Sequence, residues 1–259
     1  MEVLNSKVKL EIIDLCKKFD DNKERTLENV SFTVYDGEFL SILGPSGCGK
    51  TTILRILIGL LKATSGKVLM EGRDITDLPP AARGMGIVFQ NYALFENMTV
   101  LENVSYALKI KKETRADADK KALEMLEIMG LGEHVKKKPS ELSGGQMQRV
   151  AIARTLVLNP KIILFDEPMS ALDVETRITL RCEIKEIQKK FGTTMIYITH
   201  DQEEAFAMSD RIMIMHNAKV IQIDTPENIV KSPANDYVKS FVIDNLWAKF
   251  DSIKRYVRD

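Results

Sequence analysis

At 259 residues, 44% hydrophobic and 29% charged, the chain has ordinary globular composition and room for one large domain, or a main domain with an insertion. Lys plus Arg and Asp plus Glu both number 37, which excludes the basic excess of a nucleic-acid binder and the acidic tail of a charged-partner binder. The cysteines, Cys16, Cys48 and Cys182, are odd in number and scattered, which argues against a disulfide framework or a metal site and for a reducing compartment.

Residues 1–9 carry charges but no apolar run of signal-peptide length. The most apolar stretch, 53–61, is interrupted by Arg55 and too short to span a bilayer. Any work at a membrane therefore needs another polypeptide to hold the chain there.

Short β-rich runs alternate with longer helical patterns, the signature of a parallel sheet with crossover helices. Strands are predicted over 8–15, 30–34, 39–43, 86–89, 161–165, 194–198 and 211–215, with turn signals at Asp36-Gly37 and Pro79-Pro80. Little helix separates the early strands, so part of the sheet is expected to be antiparallel. From 90 to 160 the strand signal vanishes. Residues 101–131 have helical spacing and many charges, with breaks at Gly130 and Gly132 and a stop at Pro139, which reads as a helical subdomain inserted into an α/β core. Thr225-Pro226-Glu227 is a helix start. Beyond it Val238, Phe241, Leu246, Phe250, Ile253 and Tyr256 fall roughly on one helical face, either packed on its own domain or making a subunit contact. The expected organisation is one domain over 1–259: an α/β core of 1–90 and 160–224, a helical subdomain of 91–159 and a helical tail of 225–259.

The strongest local signal is Gly44-Pro45-Ser46-Gly47-Cys48-Gly49-Lys50-Thr51, a complete phosphate-binding loop. Its glycines let successive N–H groups point at one anion, and the following helix, 51–61, adds its positive end. Lys50 is expected to reach the β- and γ-phosphates of ATP and Thr51 to ligate Mg²⁺, with Thr52 completing the phosphate-binding set. The apolar run 161–165 ends in Asp166, a candidate Mg²⁺ holder acting through water, and Glu167, a candidate general base for an attacking water. Leu142-Ser143-Gly144-Gly145-Gln146 leads into a helical pattern. Ser143 can cap a helix whose first N–H groups are bared by two glycines, which makes a second anion site. Two phosphate cradles with one loop lysine fit a dimer better than a monomer.

Taken together, these motifs resemble the ATP-binding-cassette (ABC) ATPases, and the resemblance covers essentially the whole chain. It implies a P-loop NTPase core of mixed β-sheet with an antiparallel β region and a helical insertion. It also implies two cassettes sandwiching two ATPs, with the phosphate loop of one facing Ser143, Gly144, Gly145 and Gln146 of the other. Phe19 looks like the family's adenine-stacking aromatic, although on its own an aromatic beside a strand reads as core. Gln90 matches the hinge glutamine that meets Mg²⁺ and the water; alone it reads as surface. Asp173, in Ser170-Ala171-Leu172-Asp173, looks like the inter-subunit reporter. His200 looks like the switch histidine that hydrogen-bonds the γ-phosphate; alone it reads as structural. His134 and His216 match nothing in the pattern.

Residues 83–95 are similar to an importer branch that serves polyamines, ferric iron, phosphonates and some sugars together with an extracytoplasmic binding protein. The resemblance implies transmembrane permease subunits as partners, a second copy of the chain, an indirect link to the binding protein, and a peripheral place on the cytoplasmic face of the cell membrane. No nucleic-acid partner is expected. Tyr92, Leu94, Phe95 and Met98 form either a groove for a permease helix or the core of the helical subdomain. Members of that branch often carry a C-terminal regulatory domain. The sequence reaches only Asp259, so none is expected, which weakens the polyamine and sugar assignments. The rivals are an exporter and a soluble cassette ATPase; the family's signature motif, matched by Leu142-Ser143-Gly144-Gly145-Gln146, disfavours a P-loop kinase.

Overall fold

The computed structural model describes residues 7–19, 26–111 and 114–254 and divides into two units, Met1–Arg83 with Thr194–Asp259, and Gly84–Thr193. The first unit opens with β1 (Val8–Lys17) and β2 (Leu27–Tyr35). Apolar residues alternate along them, so Leu10 and Ile12 of β1 and Val30, Phe32 and Val34 of β2 are buried on one face. β3 (Phe39–Leu43) is buried at every position and leads through a tight loop into α1 (Lys50–Ile58). β4 (Ser65–Met70) and β5 (Arg73–Asp74) complete an antiparallel sheet of order β2-β1-β4-β5. The expected antiparallel region is therefore a sheet of its own.

In the second unit, β6 (Met85–Val88) pairs in parallel with β7 (Ile162–Asp166). Between them the chain is helical, as its charged, strand-free composition predicts. The single pattern over 101–131 resolves into α2 (Val100–Ile110) and α3 (Ala118–Ile128). A Thr99–Glu102 capping box starts α2, which buries Val100, Val104 and Leu108; α3 buries Ala118, Ala122 and Leu126 at the same four-residue spacing. Next come α4 (Gly144–Leu156) and, after β7, α5 (Val174–Phe191), which stops at the left-handed Gly192.

The chain returns to the first unit with β8 (Thr194–Thr199), buried throughout, then α6 (Gln202–Met208), β9 (Arg211–His216) and β10 (Lys219–Asp224). β3 runs parallel to both β8 and β9, and β10 pairs antiparallel with β9. The result is a mixed α/β fold. Three strands escaped the sequence pattern. β4 begins with the turn formers Ser65-Gly66, β5 has two residues, and β10 is a half-buried edge strand without a contiguous apolar run.

The tail starts as expected, with Thr225 capping α7 (Pro226–Lys231) through Asn228 N–H. It then departs from one continuous helix. α8 (Asp236–Val238) passes into a π-helical turn, Lys239–Asp244, and then α9 (Asn245–Lys254). Val238 and Val242 are buried with Leu43, Ile212 and Ile214, and Phe241 and Leu246 pack at the edge of that cluster, whereas Phe250 is exposed. Tyr256 and the side chain of Ile253 lie outside the described residues. No helix among the described residues is long and apolar enough to cross a membrane.

Candidate functional site

In the first unit, β3 delivers the glycine loop and β8 delivers His200. Leu43 and Thr199, the last residues of these parallel strands, are register partners, so Gly44 and His200 leave the sheet side by side at its C-terminal edge. Ligands of α/β folds bind at that edge. The loop is shaped by Gly47 (φ +81°) and Gly49 (φ +106°), left-handed conformations in which other residues are strained. A Cβ on Gly49 would meet the Thr26 carbonyl oxygen at 2.7 Å, and one on Gly44 would meet the Met215 carbonyl oxygen at 2.6 Å. A Cβ on Gly47 would meet nothing within 4 Å, so the loop is open on that side. Lys50 lies across the loop and donates to the carbonyls of Gly44 (2.8 Å) and Pro45 (3.0 Å), which curls the backbone around its ammonium. Cys48 is buried beneath the loop, and Thr51 and Thr52 are half-buried in the first turn of α1.

Phe19 follows β1 and is 37% exposed, with the Lys17 ammonium 4.9 Å from its ring centroid. The core alternative for this ring is thereby excluded. A cation against an accessible aromatic face leaves a platform for a flat partner.

In the second unit, the paired ends of β6 and β7 bring three predicted residues together. Val88 is the register partner of Phe165, Gln90 follows two residues after Val88, and Asp166 and Glu167 follow Phe165. Gln90 Nε2 donates to Ser170 Oγ (2.9 Å), which donates to the Glu167 carbonyl (3.1 Å). Glu167 adopts φ +46°, an uncommon conformation for a residue with a Cβ, directly after a buried strand.

Ser143 caps α4. Its hydroxyl accepts from Gln146 N–H (3.3 Å), while Gln146 Oε1 accepts from Ser143 N–H (2.9 Å). The helix thus begins at Gly144, three residues before the apolar pattern does. Both glycines have a packing reason as well as the exposure of their N–H groups. A Cβ on Gly144 would come within 2.9 Å of Leu172, and one on Gly145 within 3.0 Å of Thr176 at the start of α5. Asp173 caps that helix, accepting from Thr176 N–H (2.9 Å) and Oγ1–H (2.7 Å), and the backbone bond, then the hydroxyl, hold its carboxyl below the usual range.

Sequence reasoning passed over His134. With Gln146 Oε1 committed to Ser143, the amide's Nε2 faces His134 Nε2 at 2.9 Å and must donate to it. His134 therefore fixes which way the signature glutamine points. A contact twelve residues away in sequence leaves no trace in a linear motif.

Residues 92–98 are not core. Phe95 is exposed and Tyr92, Leu94 and Met98 are half-buried. Tyr92 and Ala93 have φ of +60° and +49°, and Arg154 holds this strained pair by donating to both carbonyls (2.9 and 2.6 Å). The fully buried amide of Asn103 pins the rest, accepting from Phe95 N–H and donating to the carbonyls of Phe95, Met98 and Thr99.

Comparison with known proteins agrees with these motifs. A family profile described as ABC transporter matches residues 27–170. The spermidine/putrescine import ATP-binding protein PotA of Oleidesulfovibrio alaskensis is 48% identical over 234 residues, covering 90% of this chain and 62% of that protein. The chain thus spans less than two thirds of that relative's length. Among solved structures, the ATP-binding cassette MJ0796, a dimer in a post-hydrolysis state with ADP and phosphate, superposes with a TM-score of 0.74 at 35% identity, covering 84% of this chain and 98% of that one. The ADP conformation of MJ1267, an ATP-binding cassette of an ABC transporter, gives 0.78 at 29% identity, covering 90% and 98%.

Proposed function

Because the chain belongs to the ABC transporter family, we propose that it is the ATP-hydrolysing subunit of a binding-protein-dependent importer of a small solute. Polyamines of the spermidine/putrescine class, named for the relative, are the first solutes to test.

In this reading the N–H groups of Gly44 to Lys50 and the Lys50 ammonium hold the ATP phosphates, and Phe19 stacks on adenine. Thr51, Gln90 and Asp166 are oxygen donors of the kind Mg²⁺ takes. The ion would neutralise charge on the phosphates. Glu167 takes the proton of the attacking water, and His200 donates to the γ-phosphate and keeps that water in line. Ser143, Gly144, Gly145 and Gln146 present the bared N–H groups of α4 to the ATP held by a second copy. Asp173, at the start of α5, reports the state of that opposite site. Loss of the γ-phosphate removes the attraction between the copies, and the opening drives the permease.

Permease subunits would engage the half-exposed Tyr92, Leu94 and Met98 with exposed Phe95, holding the chain at the cytoplasmic face of the membrane. The α/β core would comprise 1–90 and 160–224, with 91–159 as the helical subdomain and 225–259 as the tail.

One observation carries the reading. A glycine cradle closed by Lys50 and a second, capped glycine helix start at Ser143 occur in one chain that has a single loop lysine. Mixing two inactive variants, Lys50→Ala and Ser143→Arg, tests it. Mixed dimers collect both defects in one site and leave the other intact, so ATPase activity should partly return, and wild-type specific activity should rise with protein concentration. Specific activity that stays constant down to concentrations where light scattering finds only monomer would refute the two-chain site.

A further inference from the structure

His200 lies between the end of β8 and the cap of α6, and its neighbours on both sides are tied into one closed set of hydrogen bonds. Asp201 N–H donates to Thr199 Oγ1 (3.0 Å), bridging the residue before His200 to the residue after it. Thr199 Oγ1–H then donates to Glu204 Oε2 (2.8 Å), as does the Tyr197 hydroxyl (2.8 Å). The ring closes through the Asp201 carboxylate, which caps α6 by accepting from the N–H groups of Glu203 (2.7 Å) and Glu204 (3.4 Å). Tyr197, Thr199 and Glu204 are all at least nine-tenths buried, whereas His200 is exposed. A buried carboxylate held by two hydroxyl donors is costly unless every bond is made, so the arrangement has little freedom to slide.

We infer that Glu204, acting through Thr199, is a positioning residue that fixes the direction of His200. The inference rests on the role of His200 proposed above. The Thr199 hydroxyl is the link between the turn and the buried carboxylate: it accepts from Asp201 N–H and donates to Glu204, so removing it leaves the turn tied to the helix through the Asp201 cap. The Tyr197 hydroxyl donates to the same carboxylate from within β8, two residues before Thr199, and it supplies the internal control. Misplacing a group by about 1 Å can cost on the order of 100-fold in rate without changing how tightly substrate binds.

The test measures kcat and KM for ATP, the affinity for a fluorescent ATP analogue, and the melting temperature. Thr199→Val keeps the β-branched shape that the strand needs. It should lower kcat by about 10- to 100-fold with analogue affinity within about twofold, and Thr199→Ser should restore kcat to within about threefold of wild type. Tyr197→Phe, with a similar loss of melting temperature, should change kcat by less than about threefold. In a His200→Ala background Thr199→Val should cost nothing more, because the two act as one unit. Should the valine variant fail to fold, Thr199→Ala takes its place.

Unchanged kcat in Thr199→Val, equal losses in Thr199→Val and Tyr197→Phe, or a further loss on top of His200→Ala would each overturn the inference. Full turnover in His200→Ala would overturn the assignment of His200 itself; an inactive His200→Ala beside a fully active Thr199→Val would overturn the positioning role alone.

Discussion

Replacing Arg83 with Met should unfold the protein earlier, and the size of the effect follows from what the guanidinium satisfies. The helix that begins at Lys50 ends at Gly59, which turns left-handed (φ +87°) and bonds to the carbonyls of Arg55 and Ile56. Its last turn would still leave carbonyls without adequate partners. Arg83 lies against Gly59, where a Cβ would meet its Nε at 2.6 Å, and is 4% exposed. It donates from Nη1 to Ile56 and Leu57 (2.7 and 2.9 Å), from Nε to Leu78 (2.8 Å) and from Nη2 to Thr76 (2.6 Å), all carbonyls. Bonds from a charged donor contribute about 1.5–3 kcal/mol each. Burial opposes them, lowering the pKa of Arg83 against the pull of Asp77, and stripping water from the cation costs several kcal/mol. Methionine keeps most of the volume but none of the donors, so the net loss should be about 3 kcal/mol. At about 2–4 °C per kcal/mol for a chain of this size, that is a fall in Tm of roughly 6–12 °C. Arg83→Lys should fall between, because an ammonium cannot span four carbonyls. Thermal melts followed by circular dichroism read the difference. A fall below about 2 °C in Arg83→Met would show that water serves these carbonyls equally well and that the capping argument is wrong.

Glu167→Gln should bind ATP as wild type does but lose at least about 100-fold in hydrolysis, and turnover above about a tenth of wild type would rule out a general base there. His134→Leu frees the amide of Gln146 and should weaken ATP-driven dimerisation about 3- to 10-fold, the worth of one modest hydrogen bond. Analytical ultracentrifugation in the Glu167→Gln background measures it, and unchanged dimerisation would show the contact to be idle. Glu38 gives a pH signature: burial pushes its carboxyl above the ordinary 4.5, against the pull of Tyr35 N–H and Arg211. The folded state then holds a proton that the unfolded chain has released, so the stability of wild type relative to Glu38→Gln should fall as pH rises above about 4.5. Denaturant midpoints that diverge in the opposite direction would contradict it.

The parts of the fold that were legible in the sequence are those where one local cause dominates. The strands over 39–43 and 194–198 are buried on both faces and read as unbroken apolar runs, and the glycine loop is dictated by backbone conformations that few residues adopt. The Thr225 cap was legible because a cap is a local interaction. Edge strands were not, because half-buried residues such as those of β10 carry little period. The start of α4 was legible from the Ser143 cap even though Gly144 and Gly145 are poor helix formers, tolerated because Leu172 and Thr176 come too close for a Cβ. His134, Arg83 and Glu204 were illegible for a further reason. Each works through carbonyls, amides or hydroxyls that the fold brings near, and two of the three do so across more than ten positions of sequence.

The π-helical turn at Lys239–Asp244 amounts to one residue more than an α-helix would use. Within it the Phe241 carbonyl accepts from the side-chain amides of Gln202 (3.2 Å) and Asn245 (2.8 Å). The extra residue acts as a phase shift: an α-helix advances about 100° per residue, so closing the bulge by a single deletion would swing everything beyond it by about that angle. Trp247 and Phe250, now exposed and edge to face at 5.8 Å, would then occupy another side of the helix. The aromatic face at the end of the chain is thus indexed by one inserted residue, and a lineage could re-aim it by a codon deletion without changing any side chain on it.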